Sequence, residues 1–179
     1  PETVRYFLLS SHYRSPINYS DDNLVNARHA LERVYLAMRE LPDPVEELST
    51  VGTAYRLKYA EVMNDDFNTP EGFAVLFEMI REVNKLRHQD QRQDAANLAA
   101  VVRELSKPLG VFQSNPSEFL SGHMTMTEEE QIHALVRARD VARHHKNWVE
   151  SDRIRDELLQ LNIVLEDGVD GMTSWRRKI

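Results

Sequence analysis

The chain has 179 residues, 41% hydrophobic and 28% charged, enough to bury one good core or a core with a small satellite, which argues against a disordered protein. A net charge of −7 argues against a protein that coats nucleic acid through bulk electrostatics. The absence of cysteine leaves no disulfide framework, no thiolate nucleophile and no cysteine zinc site.

The chain opens Pro1-Glu2-Thr3 without an initiator methionine, an opening expected of a piece cut from a longer chain. An amphipathic helix is expected near residues 2 to 12. Its apolar run, residues 6 to 9, is too short for a signal-peptide core or a membrane span, which makes the cytoplasm the expected location. Ser15-Pro16 forms a turn, because the proline biases its predecessor out of the helical region.

Ser20, followed by Asp21 and Asp22, predicts a helix start with acidic residues in the first turn. Leu24, Ala27, Leu31, Val34, Tyr35, Met38 and Leu41 then keep one amphipathic face until Pro42-Asp43-Pro44 stops it. A third helix is expected over residues 51 to 64. The sharpest start signal follows in Asn68-Thr69-Pro70-Glu71, with a cap, a proline at the start and a glutamate three residues after the cap.

Phe73, Leu76, Phe77, Ile80, Val83, Asn84 and Leu86 continue at helical spacing. After a polar bend at residues 88 to 92, Leu98, Val101, Val102 and Leu105 mark a fifth helix. Long helices with short connections suit an up-and-down antiparallel bundle over residues 20–113. Residues 114–127 mix turn formers with a few apolar residues and read as a linker. Beyond it, two more helices lead to Ile163-Val164-Leu165, a strand start, and to Asp167-Gly168 and Asp170-Gly171 as turns before residues 173 to 176. The expected fold is mainly α: a helical bundle, then a small α+β domain of two helices and a C-terminal β-hairpin over residues 128–179.

The charge is uneven. From Gln131 onward there are nine Lys+Arg against eight Asp+Glu, a balance of +1, which leaves −8 to the residues before it. At about 100° per residue along a helix from residue 147 to 161, Ile154, Leu158 and Leu161 fall in one core-facing sector. Trp148, Asp152, Arg155 and Leu159 fall in a second, rotated from it by roughly 120°. A tryptophan, an aspartate and an arginine on a face that packing does not require can hold an unstacked nucleotide base. His144 and His145 are adjacent, so their side chains diverge and no shared metal is expected.

The string Met63-Asn64-Asp65-Asp66-Phe67-Asn68-Thr69-Pro70-Glu71, with VLFEMIREVNKL behind it, resembles the helical bundle (DALR-type) domain of bacterial cysteinyl-tRNA synthetases. RYFLLSSHYRSPINYS with NARHALERVY is similar to the same enzymes just after their KMSKS-type loop, which assigns residues 1–19 to the end of a stem-contact region. The stretch Arg143, Trp148, Asp152, Ile154-Arg155-Asp156, Ile163 to Gly168 and Trp175-Arg176-Arg177 is similar to their small anticodon-binding domain.

The resemblance implies a class I enzyme that activates cysteine with ATP and transfers it to its tRNA, and a monomer. It also implies that the HIGH-type and KMSKS-type motifs, with ATP, Mg and one zinc ion, belong before Pro1. No catalytic residue is therefore assigned here, and the fragment is expected to be inactive alone.

Carried over from the family pattern, the anticodon pocket falls on Arg143, Trp148, Asp152 and Asp167, with Arg155, Arg176 and Arg177 as backbone contacts. Trp148 would be the stacking platform. Asp152 and Asp167, as acceptors, can read amino groups of guanine or cytosine, and Arg143 can address guanine acceptors or a phosphate. Asn147 stands where the pattern has an aspartate, and the turn GVDGMTSW is one residue longer than usual.

Each residue has a plainer use. Trp148 could cap the small domain's core, Asp152 could pair with Arg155 or Lys146, Asp167 could serve the turn, and Arg143 could satisfy helix-end carbonyls. The DDFNTP segment is, by its own chemistry, a turn and cap before a core helix. Two other functions stay open: a related ligase joining cysteine to an amino sugar, not expected to carry the tail from Arg143, and a freestanding helical interaction module.

Overall fold

The computed structural model describes residues 1–45, 50–122, 126–167 and 173–178. It divides into two compact units, Pro1–Ser117 and Glu118–Ile179. The first contains α1 (Glu2–Leu9), α2 (Asp21–Met38), α3 (Thr50–Asn64), α4 (Thr69–His88) and α5 (Arg92–Ser106); the short α6 (Pro116–Ser121) crosses the boundary. The second holds α7 (Met126–His144), α8 (Trp148–Gln160) and the strands β1 (Ile163–Asp167) and β2 (Thr173–Arg177). The expected fold class, mainly α with a C-terminal hairpin, is the one observed.

In the first unit α4 packs against α2, α3 and α5, and α1 packs against α2. The α3–α4 and α4–α5 connections are short, which sets these helices antiparallel. The starts follow the caps read from sequence. Ser20 accepts from the Asn23 N–H at 3.2 Å, and Asn68 accepts from the Glu71 N–H at 3.3 Å. Two ends come earlier than the apolar period implies. The first helix stops at Leu9, where Ser10 donates its hydroxyl to the Phe7 carbonyl. The second stops at Met38: Arg39 is extended and Glu40 takes φ 60°, so Leu41 lies outside the helix.

The core is made of Leu31, Val34 and Tyr35 from α2, Leu76, Met79 and Val83 from α4, and Val101 and Val102 from α5. Phe112 is fully buried beside them, edge-on to Phe73 and Phe77 with centroids 6.3 and 6.4 Å away. Gly72 lets α3 and α4 close up: a Cβ there would lie 2.9 Å from Met63 Sδ and 3.3 Å from the Tyr59 ring, so the Met63 side chain would have to move.

A carboxylate ties the chain ends of this unit together. The Tyr35 hydroxyl donates to Glu2 at 2.8 and 2.9 Å, the Phe112 N–H donates to the same carboxylate, and the Ser114 N–H donates to Tyr35 Oη at 3.1 Å. Phe112 takes φ 62°, a conformation that costs a non-glycine residue about 1–2 kcal/mol. Burial of its ring and the bond to Glu2 hold it there.

The DDFNTP segment is also a turn built under strain, with Asp66 at φ 53° and Phe67 at φ 52°. Asp66 accepts from Tyr13 Oη at 2.7 Å and pairs with Arg14 at 3.1 Å, which fastens the loop after α1 to the turn before α4. Phe67 itself is 70% exposed.

Burial, reinforced by the Glu2 charge, pushes the Tyr35 hydroxyl up to about 12. Because this folded-state value is raised, the stabilisation is complete below the ordinary tyrosine value and fades as pH rises towards 12. Tyr35→Phe is therefore expected to cost about 1–3 kcal/mol near neutral pH in urea unfolding, because the Ser114 N–H and the Glu2 carboxylate both lose a partner. The gap between wild type and variant should narrow between about pH 10 and 12.

Candidate nucleic-acid interface

The second unit is built around Ile132, Val136, Ile154, Leu158 and Ile163, with Leu135, Leu165 and Trp175 packed against them. Helices α7 and α8 pack on each other, and β1 pairs antiparallel with β2 in the register Ile163↔Arg177 to Asp167↔Thr173. Ile154 and Leu158 form the buried stripe expected of α8. Leu161, assigned to the same stripe, is 50% exposed because it is the C-cap rather than a helical residue.

The turn from α7 into α8 decides which side chains face water. Lys146 takes φ 57°, and the N–H groups of Lys146 and Asn147 bond back to the carbonyls of Arg143 and Ala142 at 2.9 and 2.8 Å. The Asn147 side chain then accepts from the Glu150 N–H at 3.3 Å, doing the capping that the pattern's aspartate would do. Trp148 is thereby the first residue of α8. It is 59% exposed and Val149 is 84% exposed, so Trp148 stands on the surface and the core tryptophan is Trp175.

The rest of the second sector is open too: Asp152, Arg155 and Leu159 are exposed. Arg155 comes within 3.6 Å of Asp152 and 3.9 Å of Asp156, beyond hydrogen-bond distance, so the helix pair is loose. Arg153 is different. It donates to Glu150 at 2.7 and 2.8 Å and to Glu157 at 2.9 Å. Those bonds hold the Glu150 carboxyl below its usual range and raise Arg153.

The basic residues of the hairpin are divided in the same way. Arg176 donates to Glu166 at 3.0 Å across the strands, which engages it within the protein, whereas Arg177 pairs with Ile163 near the strand start. Arg143, in the last turn of α7, is half-buried. Asp167 closes β1 opposite Thr173, and its side chain and the turn after it lie outside the described residues.

One group had no sequence expectation. Arg139 is only 7% exposed and donates from Nη1 to Thr173 Oγ1 at 3.2 Å, while Thr173 Oγ1 donates to Asp140 Oδ1 at 2.7 Å. The signal was present: Arg139 lies three residues after Val136 and seven after Ile132, a charge on an apolar helical stripe. Among the described residues no group of three or more His, Asp or Glu could hold a metal ion, and no helix is long and apolar enough to cross a membrane.

An exposed tryptophan beside a carboxylate and a guanidinium is a surface suited to a splayed base, and comparison with known proteins gives the same direction. Residues 58–113 match the DALR domain and residues 128–176 match the cysteinyl-tRNA ligase anticodon binding domain. One match falls within each of the two compact units. The chain is 52% identical over 177 residues to the cysteine–tRNA ligase of Pseudomonas fluorescens strain SBW25 and 53% identical to that of Azotobacter vinelandii. The enzyme of that name from Pectobacterium carotovorum is 48% identical over 180 residues. These matches cover 98–99% of the chain but only 37–38% of each relative, so the chain spans little more than a third of their length.

Trp148, Asp152 and Arg155 are all exposed on α8, within the residues that match the anticodon binding domain. Trp148→Ala is expected to change stability by less than about 0.5 kcal/mol in thermal or urea unfolding, as for a surface substitution. Trp175→Ala should cost about 2 kcal/mol or more, because it empties a place in the small core.

Proposed function

We propose that this chain is the tRNA-holding part of an enzyme that joins cysteine to its tRNA using ATP, and that its second unit reads the GCA anticodon. The observation that carries the reading is the exposure of Trp148 beside Asp152 and Arg155, on a domain of the anticodon binding type. Trp148 stacks on an unpaired base, a contact worth about 1–3 kcal/mol. Asp152 and Asp167 accept from base amino groups, and Arg143 donates to guanine acceptors or a phosphate. Arg155 and Arg177 contact the RNA backbone in this reading. Arg176, already bonded to Glu166, contributes there only by releasing it.

In this proposal residues 20–113 form the bundle that positions the tRNA, residues 1–19 end the stem-contact region, residues 114–127 link the two parts, and residues 128–179 form the anticodon reader. The partner is a cysteine tRNA, the protein is monomeric, and it works in the cytoplasm. In this reading ATP with Mg and one zinc ion belong to the catalytic domain of the parent enzyme, and ligation is assigned to no residue of this chain. The amino-sugar ligase reading is disfavoured because residues 128–176 match an anticodon binding domain.

The test is affinity for an anticodon stem-loop bearing GCA against one with a changed middle base, at one stated salt concentration. The proposal expects a clear preference for GCA and a loss of more than about 1 kcal/mol for Trp148→Ala with the fold intact. Equal binding of the two RNAs would sink it.

A further inference from the structure

The hairpin that carries Asp167 is held at its two ends by different chemistry. From the Ile163↔Arg177 end to the middle pair the side-chain hold is apolar, with Ile163 buried and Leu165 and Trp175 packed on the same cluster, and the Lys178 N–H adds a backbone bond to the Asn162 carbonyl at 2.5 Å. These side chains join the strands to the apolar residues of α7 and α8. The far pair, Asp167↔Thr173, lies beyond them, next to the turn.

At that far end the hold is polar. Arg139 donates to the Thr173 hydroxyl, and the hydroxyl donates to Asp140. A guanidinium stays charged at every accessible pH, and burying one to 7% exposure costs stability unless it is bonded. Such a group adds little that another apolar residue on the stripe would not add better. What it adds is direction. The network fixes one residue, the cross-strand partner of Asp167, relative to α7, and α7 presents Arg143 one turn beyond Arg139.

We propose that Arg139, Asp140 and Thr173 are positioning residues that fix the Asp167 end of the hairpin to α7, the helix that also carries Arg143, so that base identity is read from a constant backbone geometry. The proposal rests on the anticodon reading above and adds residues that do not touch the RNA. A contact group misplaced by a fraction of an ångström still meets phosphates but no longer discriminates base edges. The network therefore acts on the ratio of affinities rather than on binding as such.

The experiment uses the 179-residue chain and two anticodon stem-loops, GCA and the same loop with its middle base changed, at fixed salt. Thr173→Val keeps shape and strand preference but removes the hydroxyl, whereas Thr173→Ser retains it. The GCA preference should fall by about fivefold or more in Thr173→Val and persist in Thr173→Ser, with the salt dependence of binding unchanged in both. Asp140→Ala, checked for native circular dichroism, should lose the preference in the same way.

Preference retained in folded Thr173→Val, or lost equally in Thr173→Ser, overturns the positioning role while leaving the anticodon reading in place. Unfolding of both Thr173→Val and Asp140→Ala overturns it as well, since the network would then be a structural support. A wild-type chain without preference sinks the anticodon reading itself, and the positioning role with it.

Discussion

The turn of three residues between α7 and α8 sets what the small unit can show to a ligand. With Lys146 in the left-handed region and Asn147 capping α8, the helix begins at a rotation that sends Ile154 and Leu158 into the core. The same rotation leaves Trp148 and Asp152 in water. A tryptophan buries more apolar area than any other side chain, so leaving it mostly exposed forgoes stabilisation that the neighbouring small core could have used. Trp175, on the hairpin, takes the core role, and the division of labour between the two rings is the physical basis of the proposed interface.

Charge on this unit is sorted by commitment. Arg153 is locked between Glu150 and Glu157, and Arg176 is bonded to Glu166, so neither adds a free cation to the surface. Arg155 and Asp152 sit near each other without a hydrogen bond. Such a surface offers weak general attraction to a polyanion and a few directional groups. That balance suits reading of bases more than gripping of backbone, and it fits a tail of near-neutral charge on an acidic chain. In the first unit the notable polar contact is internal, with Glu2, Tyr35 and Phe112 joining its two ends.

Much of this was legible in the sequence, for reasons that differ by element. The caps Ser20 and Asn68 are local chemistry, and their bonds appear as expected. The apolar period of α4 and α5 is long enough to fix their faces, and arithmetic on α8 placed Trp148, Asp152, Arg155 and Leu159 together on the exposed side. What failed is set by position within an element or by tertiary partners. Leu161 keeps the period but lies past the helix end, and Leu41 does the same after α2. The Arg139 network joins residues more than thirty apart, so no local pattern could pair them; only the oddity of a charge on an apolar stripe was visible. Periodicity could not say which tryptophan packs, because Trp148 shares its sector with Leu159.

The central claim is that Trp148, and not Trp175, meets the RNA. The chain holds two tryptophans, so two indole N–H signals report on them separately in a proton–nitrogen correlation spectrum. Titration with a GCA anticodon stem-loop should shift or broaden the Trp148 signal in step with saturation, and the Trp175 signal should hold its place. A Trp148 signal unmoved at saturating RNA, or movement confined to Trp175, would contradict the account.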